Sequence, residues 1–184
     1  MLIIEIVLII VAIPLVMALF VKKTYTVERE IMVTRPQHVV FNYLKYLKNL
    51  DKFSKWAAMD PNMKKEYRGT DGTVGFVSAW ESQNKNVGKG EQEIKKIIEG
   101  RRIDFELRFI KPFAGVAKAY MTTDQMSKNE TIVNWGVDSK MNYPMNLMLL
   151  FNMEKMIGND LSTGLTNLKN QLENKESDEW RYNN

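Results

Sequence analysis

The order of strand and helix patterns along the chain constrains its fold more than any other feature of the sequence. One strand pattern is followed by two helical patterns, about six further strand patterns and one long helical pattern. The clearest strand is RIDFELRFI, where Ile103, Phe105, Leu107 and Phe109 alternate with charged residues. Such alternation is typical of a strand with one buried face. Because no helix separates the six later strands, the order predicts an α+β fold with an antiparallel sheet rather than βαβ crossovers.

The remaining elements follow from local signals. The stretch YTVEREIMV, Tyr25–Val33, has a strand pattern. The helical pattern of VVFNYLKYL follows Pro36. The stretch GTDGTVG supplies a hairpin turn between two later strands. One continuous helix is predicted from Pro144 to Leu172. We therefore expect a curved antiparallel sheet of about seven strands with a single long C-terminal helix lying across it.

The long helix carries two apolar faces if it is continuous. At 100° per residue, Leu147, Leu150 and the later leucines form one stripe that should face the sheet. Met145, Met153 and Met156 fall on the opposite side. This second face could be covered by the chain's own short helices, by a bilayer or a hydrophobic ligand, or by a second copy of the chain, and methionine would suit a variable contact.

Glu154 falls inside the leucine stripe of this predicted helix. A carboxylate there is costly unless it is paired or hydrated. Three interpretations stay open: a salt bridge to an arginine, a poorly wound helix end, or a polar group in a solvated cavity that orients the head of a ligand.

The N-terminus predicts a membrane anchor. Leu2–Val21 is apolar apart from Glu5, and twenty residues of helix are long enough to cross the hydrocarbon layer. A cleaved signal peptide fits less well, because no basic residue precedes the apolar run. Lys22 and Lys23 follow it directly, so the positive-inside rule places the remaining domain in the cytoplasm. We expect a single-pass protein of the cell membrane.

Composition excludes several classes of function. The chain has no cysteine and one histidine, His38, which excludes thiolate and multi-histidine metal sites, and we expect no cofactor. A G-x-S-x-G motif is absent, and no other catalytic motif is recognised. The net charge of +4 comes from dispersed lysines without a nucleic-acid motif, so nucleic acid is not expected as a partner. Glu91 and Glu93 share one strand face, which predicts a solvated face rather than an acid–base pair.

Several stretches resemble the SRPBCC superfamily, and more narrowly its bacterial polyketide cyclase/dehydrase-like group. These are WAAMDPNMKKEYRGTDGTVG, NVGKGEQEIKKI, RIDFELRFIKPF and NLMLLFNMEKMIGNDLSTGLTNLK. The resemblance covers about Tyr25 to Leu172. It implies a helix-grip fold, as in START and Bet v 1-type proteins, in which a seven-stranded sheet encloses an apolar cavity. The superfamily includes lipid carriers and cyclases, so the fold does not give the function.

These observations lead to one main hypothesis and two alternatives. We predict an anchor over residues 1–23, a helix-grip domain over 24–172 that binds a hydrophobic, lipid-like molecule, and a polar tail over 173–184. The alternatives are a cyclase or dehydratase that uses Glu154 or a cavity tyrosine as acid or base, and a protein-interaction scaffold. The predicted cavity wall consists of Trp80, Phe105, Leu107, Phe109, Trp135, Leu150 and Glu154. The large apolar side chains among these residues could equally fill a solid core.

Overall fold

A computed structural model describes the backbone of residues 2–182 and the side chains of residues 4, 5, 10 and 12–174. The helices are α1 (Leu2–Phe20), α2 (Gln37–Leu44), α3 (Leu47–Phe53), α4 (Lys55–Met59), a 3₁₀ helix (Met145–Leu150) and α5 (Met153–Tyr182). The strands are β1 (Thr24–Val33), β2 (Lys64–Arg68), β3 (Val77–Glu81), β4 (Lys89–Ile98), β5 (Arg102–Lys111), β6 (Gly115–Ser127) and β7 (Glu130–Lys140).

The strands form one antiparallel sheet in the order β1-β7-β6-β5-β4-β3-β2. Strands β2 to β6 each pair with the next strand along the chain, and β1 completes the sheet by pairing with β7. The predicted α+β class and the seven-stranded antiparallel sheet are therefore confirmed. Parity along β5 also matches the prediction, because Ile103 and Phe105 are buried while their neighbours are not.

The core lies between the helices and one face of the sheet, which we call the concave face. Helix α5 contributes Leu161, Leu165 and Leu168 to it, and all three are at most 1% exposed. α2 and α3 cover the part of this face that α5 leaves free. Among the strands, α5 contacts β1 most extensively, so the helix lies towards that edge of the sheet.

Two glycines let α5 approach the sheet closely. The guanidinium of Arg29, on β1, occupies the space where a Cβ atom on Gly158 would lie. A Cβ on Gly164 would lie 2.7 Å from Cζ3 of Trp135. Arg29 and Trp135 are direct cross-strand partners in the β1–β7 ladder. The helix is therefore seated on two neighbouring large side chains at its two glycines.

The prediction of one continuous helix from Pro144 is wrong. Residues Met145–Leu150 form a 3₁₀ helix. Asn152 has a φ of 56°, which interrupts the helical backbone before α5 begins at Met153. A 3₁₀ helix has about three residues per turn, so the 100° phase used for the leucine stripe fails here. As a result Leu149 packs against the core, whereas Leu150 is 53% exposed.

Part of the predicted anchor, residues 1–23, falls outside the residues whose side chains are described, and so does most of the predicted tail, 173–184. Within the described part of the chain, no helix is long and apolar enough to cross a membrane. α5 continues beyond Leu172 as far as Tyr182.

The end of α1 is joined to the 3₁₀ helix by one buried side chain. Asn146 is fully buried, and its Nδ2 donates to the carbonyl oxygens of Ala18 at 2.7 Å and Val21 at 3.0 Å. Carbonyls in the last turn of a helix have no partner within the helix, so Asn146 supplies the missing donors.

Candidate functional site on the concave face of the sheet

The concave face becomes less covered towards one end of the sheet. Along β5, its inward residues change from fully buried Ile103 and Phe105 to partly buried Leu107 and then to Phe109, which is 38% exposed. Leu107 pairs with Ala117, and Ala117 pairs with Ser139, so the β5–β6 connection lies beside the last residues of β7. We call this part of the molecule, with residues 109–117, 139–151 and 19–25, the open end.

An aromatic pair spans three strands close to the open end. Trp80 of β3, Gly90 of β4 and Phe109 of β5 occupy one row of the ladder. The indole of Trp80 lies over Gly90, where a Cβ would be 2.7 Å from Cζ2, and meets Phe109 edge to face with ring centroids 6.3 Å apart. The indole Nε1 donates to the carbonyl of Val87 at 3.2 Å, which fixes the ring. Glycine at position 90 therefore lets two predicted wall residues come together.

Two polar side chains lie in the next row of the same face. Ser78 and Gln92 are cross-strand partners, 5% and 8% exposed, and Gln92 is also opposite Leu107. Neither side chain forms a hydrogen bond with another residue that the structure describes. Asn146 Oδ1 is the one fully enclosed polar side-chain atom without a partner in the described part of the chain. The polar atoms of Ser78 and Gln92 therefore still face accessible space, where water or a ligand group could bond to them.

The space beneath α5 is filled by the chain's own side chains. Trp135 is 5% exposed and packs edge to face on Phe53 and Trp56, with ring centroids 5.9 and 6.2 Å apart. Phe105 is 2% exposed in the same cluster. Of the predicted wall, Trp135 and Phe105 thus belong to packed core, and Trp80, Leu107 and Phe109 border the open end.

The last two predicted wall residues lie on the surface. Leu150 is 53% exposed because of the 3₁₀ geometry described above. Glu154, in the first turn of α5, accepts a hydrogen bond from Nζ of Lys22 at 2.6 Å, and its side chain is 40% exposed. Of the three interpretations of Glu154, the geometry favours a salt bridge, although the partner is a lysine rather than an arginine. Whether any of the seven residues binds a ligand remains a prediction.

The paired carboxylates lie on the outer face of the sheet and hold an ion-pair network. Arg108 donates from Nε to Glu91 at 2.7 Å and from Nη1 to Glu93 at 2.8 Å. These hydrogen bonds, with a further one from Arg68 to Glu91 and one from Lys95 to Glu93, lower the pKa of both carboxyl groups. Lowered pKa values keep both groups ionised at neutral pH, which suits a structural network and not an acid.

One tyrosine on the concave face was a possible acid or base. Tyr67 is the cross-strand partner of Ser78 and stacks on Phe76 with ring centroids 6.1 Å apart. Burial and a hydrogen bond of 2.9 Å to Asp51 Oδ2 raise the pKa of its hydroxyl to about 12. The phenol therefore stays protonated at neutral pH and can donate a hydrogen bond, but it is a poor base.

A surface depression of ≈ 340 Å³ lies at the other end of the sheet. Five of its six lining residues are polar in type, and they include the single histidine. This lining lacks the large aliphatic or aromatic hydrocarbon side chains expected of a site for a hydrophobic molecule. The residues around it are Pro36, Gln37, His38, Gln125, Lys128 and Asn129.

Sequence reasoning missed Ser78 and Gln92. A signal was available for Gln92, because GEQEI places this glutamine in phase with Ile94, which is fully buried. A polar residue on the apolar phase of a strand is a candidate for an internal site. For Ser78 no such signal exists, because the sequence VSAWE does not indicate which of its two faces is inward, whereas the structure places Ser78 and Trp80 on the concave face, in phase with buried Phe76.

Comparisons with known proteins support the fold. No family model matches the sequence, and no curated protein matches it either. Among solved structures, truncated norcoclaurine synthase from Thalictrum flavum is similar over 83% of this chain and 96% of its own, with 9% identity and a TM-score of 0.62. Ara h 8.0201 is similar over 80% and 99%, with 14% identity and a TM-score of 0.51.

A third similar structure is the Aha1 dimer from Colwellia psychrerythraea. The similarity covers 79% of this chain and 94% of the Aha1 chain, with 14% identity and a TM-score of 0.54. At these identities the similarity concerns the fold and not the activity. The chain therefore shares the helix-grip fold of these solved structures, with α5 held against a seven-stranded antiparallel sheet.

Proposed function

We propose that this protein binds a hydrophobic small molecule that carries a polar group. The observation that carries the proposal is the pair Ser78 and Gln92, buried without partners beside the aromatic pair Trp80 and Phe109. An apolar wall with a few polar groups is the usual composition of a small-molecule site. Because the space beneath α5 is packed, the proposed site is confined to the concave face near the open end.

The structural neighbours support this type of function. One norcoclaurine synthase structure from Thalictrum flavum is a complex with dopamine and hydroxybenzaldehyde, and its TM-score to this chain is 0.61. That protein thus holds aromatic molecules with polar substituents on the same fold. For the present chain we propose a binding role and not catalysis, because Glu154 pairs with Lys22 and the Tyr67 phenol is a poor base.

We also propose that the protein is attached to the cell membrane through its N-terminal apolar segment, with the remaining domain in the cytoplasm. The support is the sequence of residues 2–21 and the exposure of its described side chains, such as Ile10 at 63%, Leu19 at 64% and Phe20 at 86%. Exposed apolar surface of this extent is costly in water. Flotation of the full chain with cell membranes after an alkaline wash tests this part separately.

Ligand binding can be tested with a fluorescent fatty acid titrated into the full chain. Gln92→Leu should weaken binding of the carboxylate-bearing probe, because a buried amide donor is replaced by an apolar group of similar size. Lost hydrogen bonds to a charged group correspond to about 1.5–3 kcal/mol, or roughly a tenfold to hundredfold higher Kd.

Gln125→Leu is the matched control, because this glutamine lies in the distant depression lined by His38. Its Kd should equal that of the parent protein. Equal affinity of the parent and Gln92→Leu, or no saturable binding to the parent, would reject the proposed site.

A further inference from the structure

Large apolar side chains are exposed on two separate segments of the open end. In the β5–β6 connection Phe113 is 67% exposed, and beside it Ile110 at the end of β5 is 49% and Val116 at the start of β6 is 56% exposed. The 3₁₀ helix and the residue after it expose Leu150 at 53% and Phe151 at 80%. Met145 and Met148 of the same helix are also exposed, at 40% and 37%.

The strand register brings these segments to one side of the molecule. Ala117 pairs with Ser139, and Ser139 pairs with Tyr25, so the starts of β6 and β1 and the end of β7 share one edge of the sheet. The 3₁₀ helix follows β7 directly and contacts the last turn of α1 through Asn146. The apolar surface of the open end is therefore continuous with the exposed end of α1.

The hairpin at the opposite end of the sheet has a different character. The β5–β6 connection reads Pro-Phe-Ala over residues 112–114, whereas the β6–β7 turn contains Lys128 and Asn129. A single apolar side chain, Met126, is exposed beside that turn, at 58%. The concentration of aromatic and aliphatic groups is thus specific to the open end and is not a general property of the surface.

Positive charge borders the apolar surface. Lys111 and Lys140 end the strands β5 and β7 there, and both are exposed. Lys23 and Lys155 are exposed on the adjoining ends of β1 and α5. Lys22 and Glu154 pair with each other at this place and nearly cancel. An apolar centre bordered by lysines complements a bilayer surface that contains anionic lipids.

We infer that the open end is a second membrane-contact surface, formed by the β5–β6 connection and the 3₁₀ helix, and that it rests on anionic lipid beside the point where α1 meets the domain. This inference goes beyond the proposed attachment through α1, because the contact uses residues 110–116 and 145–151. It places the less covered part of the concave face next to the lipid.

Fluorescent probes at single cysteines test the inference, since the natural chain contains none. Phe113→Cys and Phe151→Cys are each labelled with an environment-sensitive dye in the full chain. Met126→Cys is the matched control, because Met126 is also an exposed apolar residue, at 58%, but lies at the opposite hairpin. Each protein is added to phosphatidylcholine vesicles with and without phosphatidylserine, and spin-labelled lipids serve as quenchers.

We expect a blue shift and lipid quenching at positions 113 and 151, strongest with phosphatidylserine, and neither change at position 126. A dye that stays in a water-like environment at 113 and 151 while the protein is bound to vesicles overturns the inference. Shielding that occurs without vesicles and grows with protein concentration also overturns it, because the surface would then join two copies of the chain.

A labelled Leu15→Cys protein separates this inference from the proposed anchor. Quenching at 15 without quenching at 113 and 151 would leave the anchor and reject the second surface. Quenching at 113 and 151 without quenching at 15 would support the second surface and reject the anchor.

Discussion

Asn146 and Ala18 are 128 residues apart in the sequence, yet the side chain of Asn146 donates a hydrogen bond of 2.7 Å to the carbonyl of Ala18. A second bond to Val21 makes Asn146 the cap of α1. The polar cap is buried within an otherwise apolar surrounding, where an unmade hydrogen bond costs more than on the surface. The relation fixes the position of the N-terminal helix relative to the 3₁₀ helix.

Asn146→Ala should detach α1 from the 3₁₀ helix, because two helix-end carbonyls lose their donors. The expected loss of stability is about 1–3 kcal/mol. Hydrogen exchange at residues 18–23 and 145–150 should increase in the full chain. Asn142→Ala is the control, since Asn142 is exposed and takes part in this region through its backbone carbonyl alone. Equal protection in both variants would contradict the capping role.

The two glycines of α5 should respond differently to alanine. At Gly164 the added Cβ meets the ring of Trp135, which is buried between Phe53 and Trp56 and cannot move aside. Gly164→Ala should therefore lower the free energy of unfolding by about 1–3 kcal/mol, as overpacking does. Urea unfolding of the full chain in detergent micelles measures the change.

Gly158→Ala is the matched comparison, because the added Cβ meets the guanidinium of Arg29, the far end of a flexible side chain. Alanine also favours helix over glycine by about 1 kcal/mol. We expect a change close to zero or a slight stabilisation. A larger loss for Gly158→Ala than for Gly164→Ala would refute the packing described for Trp135.

The Arg108 network predicts a pH dependence of stability. Since the pKa values of Glu91 and Glu93 are lowered in the folded state, their contribution is complete above the ordinary glutamate pKa of 4.5. It is lost as the pH falls below that value through the lowered folded-state pKa values. Arg108→Gln should therefore destabilise the protein at pH 7. It should also make the fall in stability below about pH 5 less steep. Thermal unfolding at a series of pH values measures both effects.

Lys128→Gln is the control for Arg108→Gln, because Lys128 is an exposed cation in the β6–β7 turn, away from the network. It should leave the acid dependence of the parent protein unchanged. An equal flattening in both variants would show that net charge, rather than the network, sets the dependence.

The alternation along β5 and the order of strand and helix patterns were sufficient to predict the sheet, because one-sided burial leaves a period of two in the sequence. The segment before α5 was mispredicted for the opposite reason. Leu147, Leu149 and Leu150 fit both an α-helix and a 3₁₀ helix, and nothing local indicates the positive φ of Asn152. Three residues of the predicted wall border the open end. The pair Ser78 and Gln92 could be identified only from the strand register of the structure.

The contact between Gly164 and Trp135 determines where α5 can lie along its axis. If the helix slid by one turn, about 5.4 Å, Asp160 or Leu168 would replace Gly164 against the buried ring, and either side chain would collide with it. The helix therefore cannot slide along its axis in either direction. Any widening of the domain to admit a ligand would then leave α5 in place and involve other segments, such as the 3₁₀ helix that the positive φ of Asn152 separates from α5.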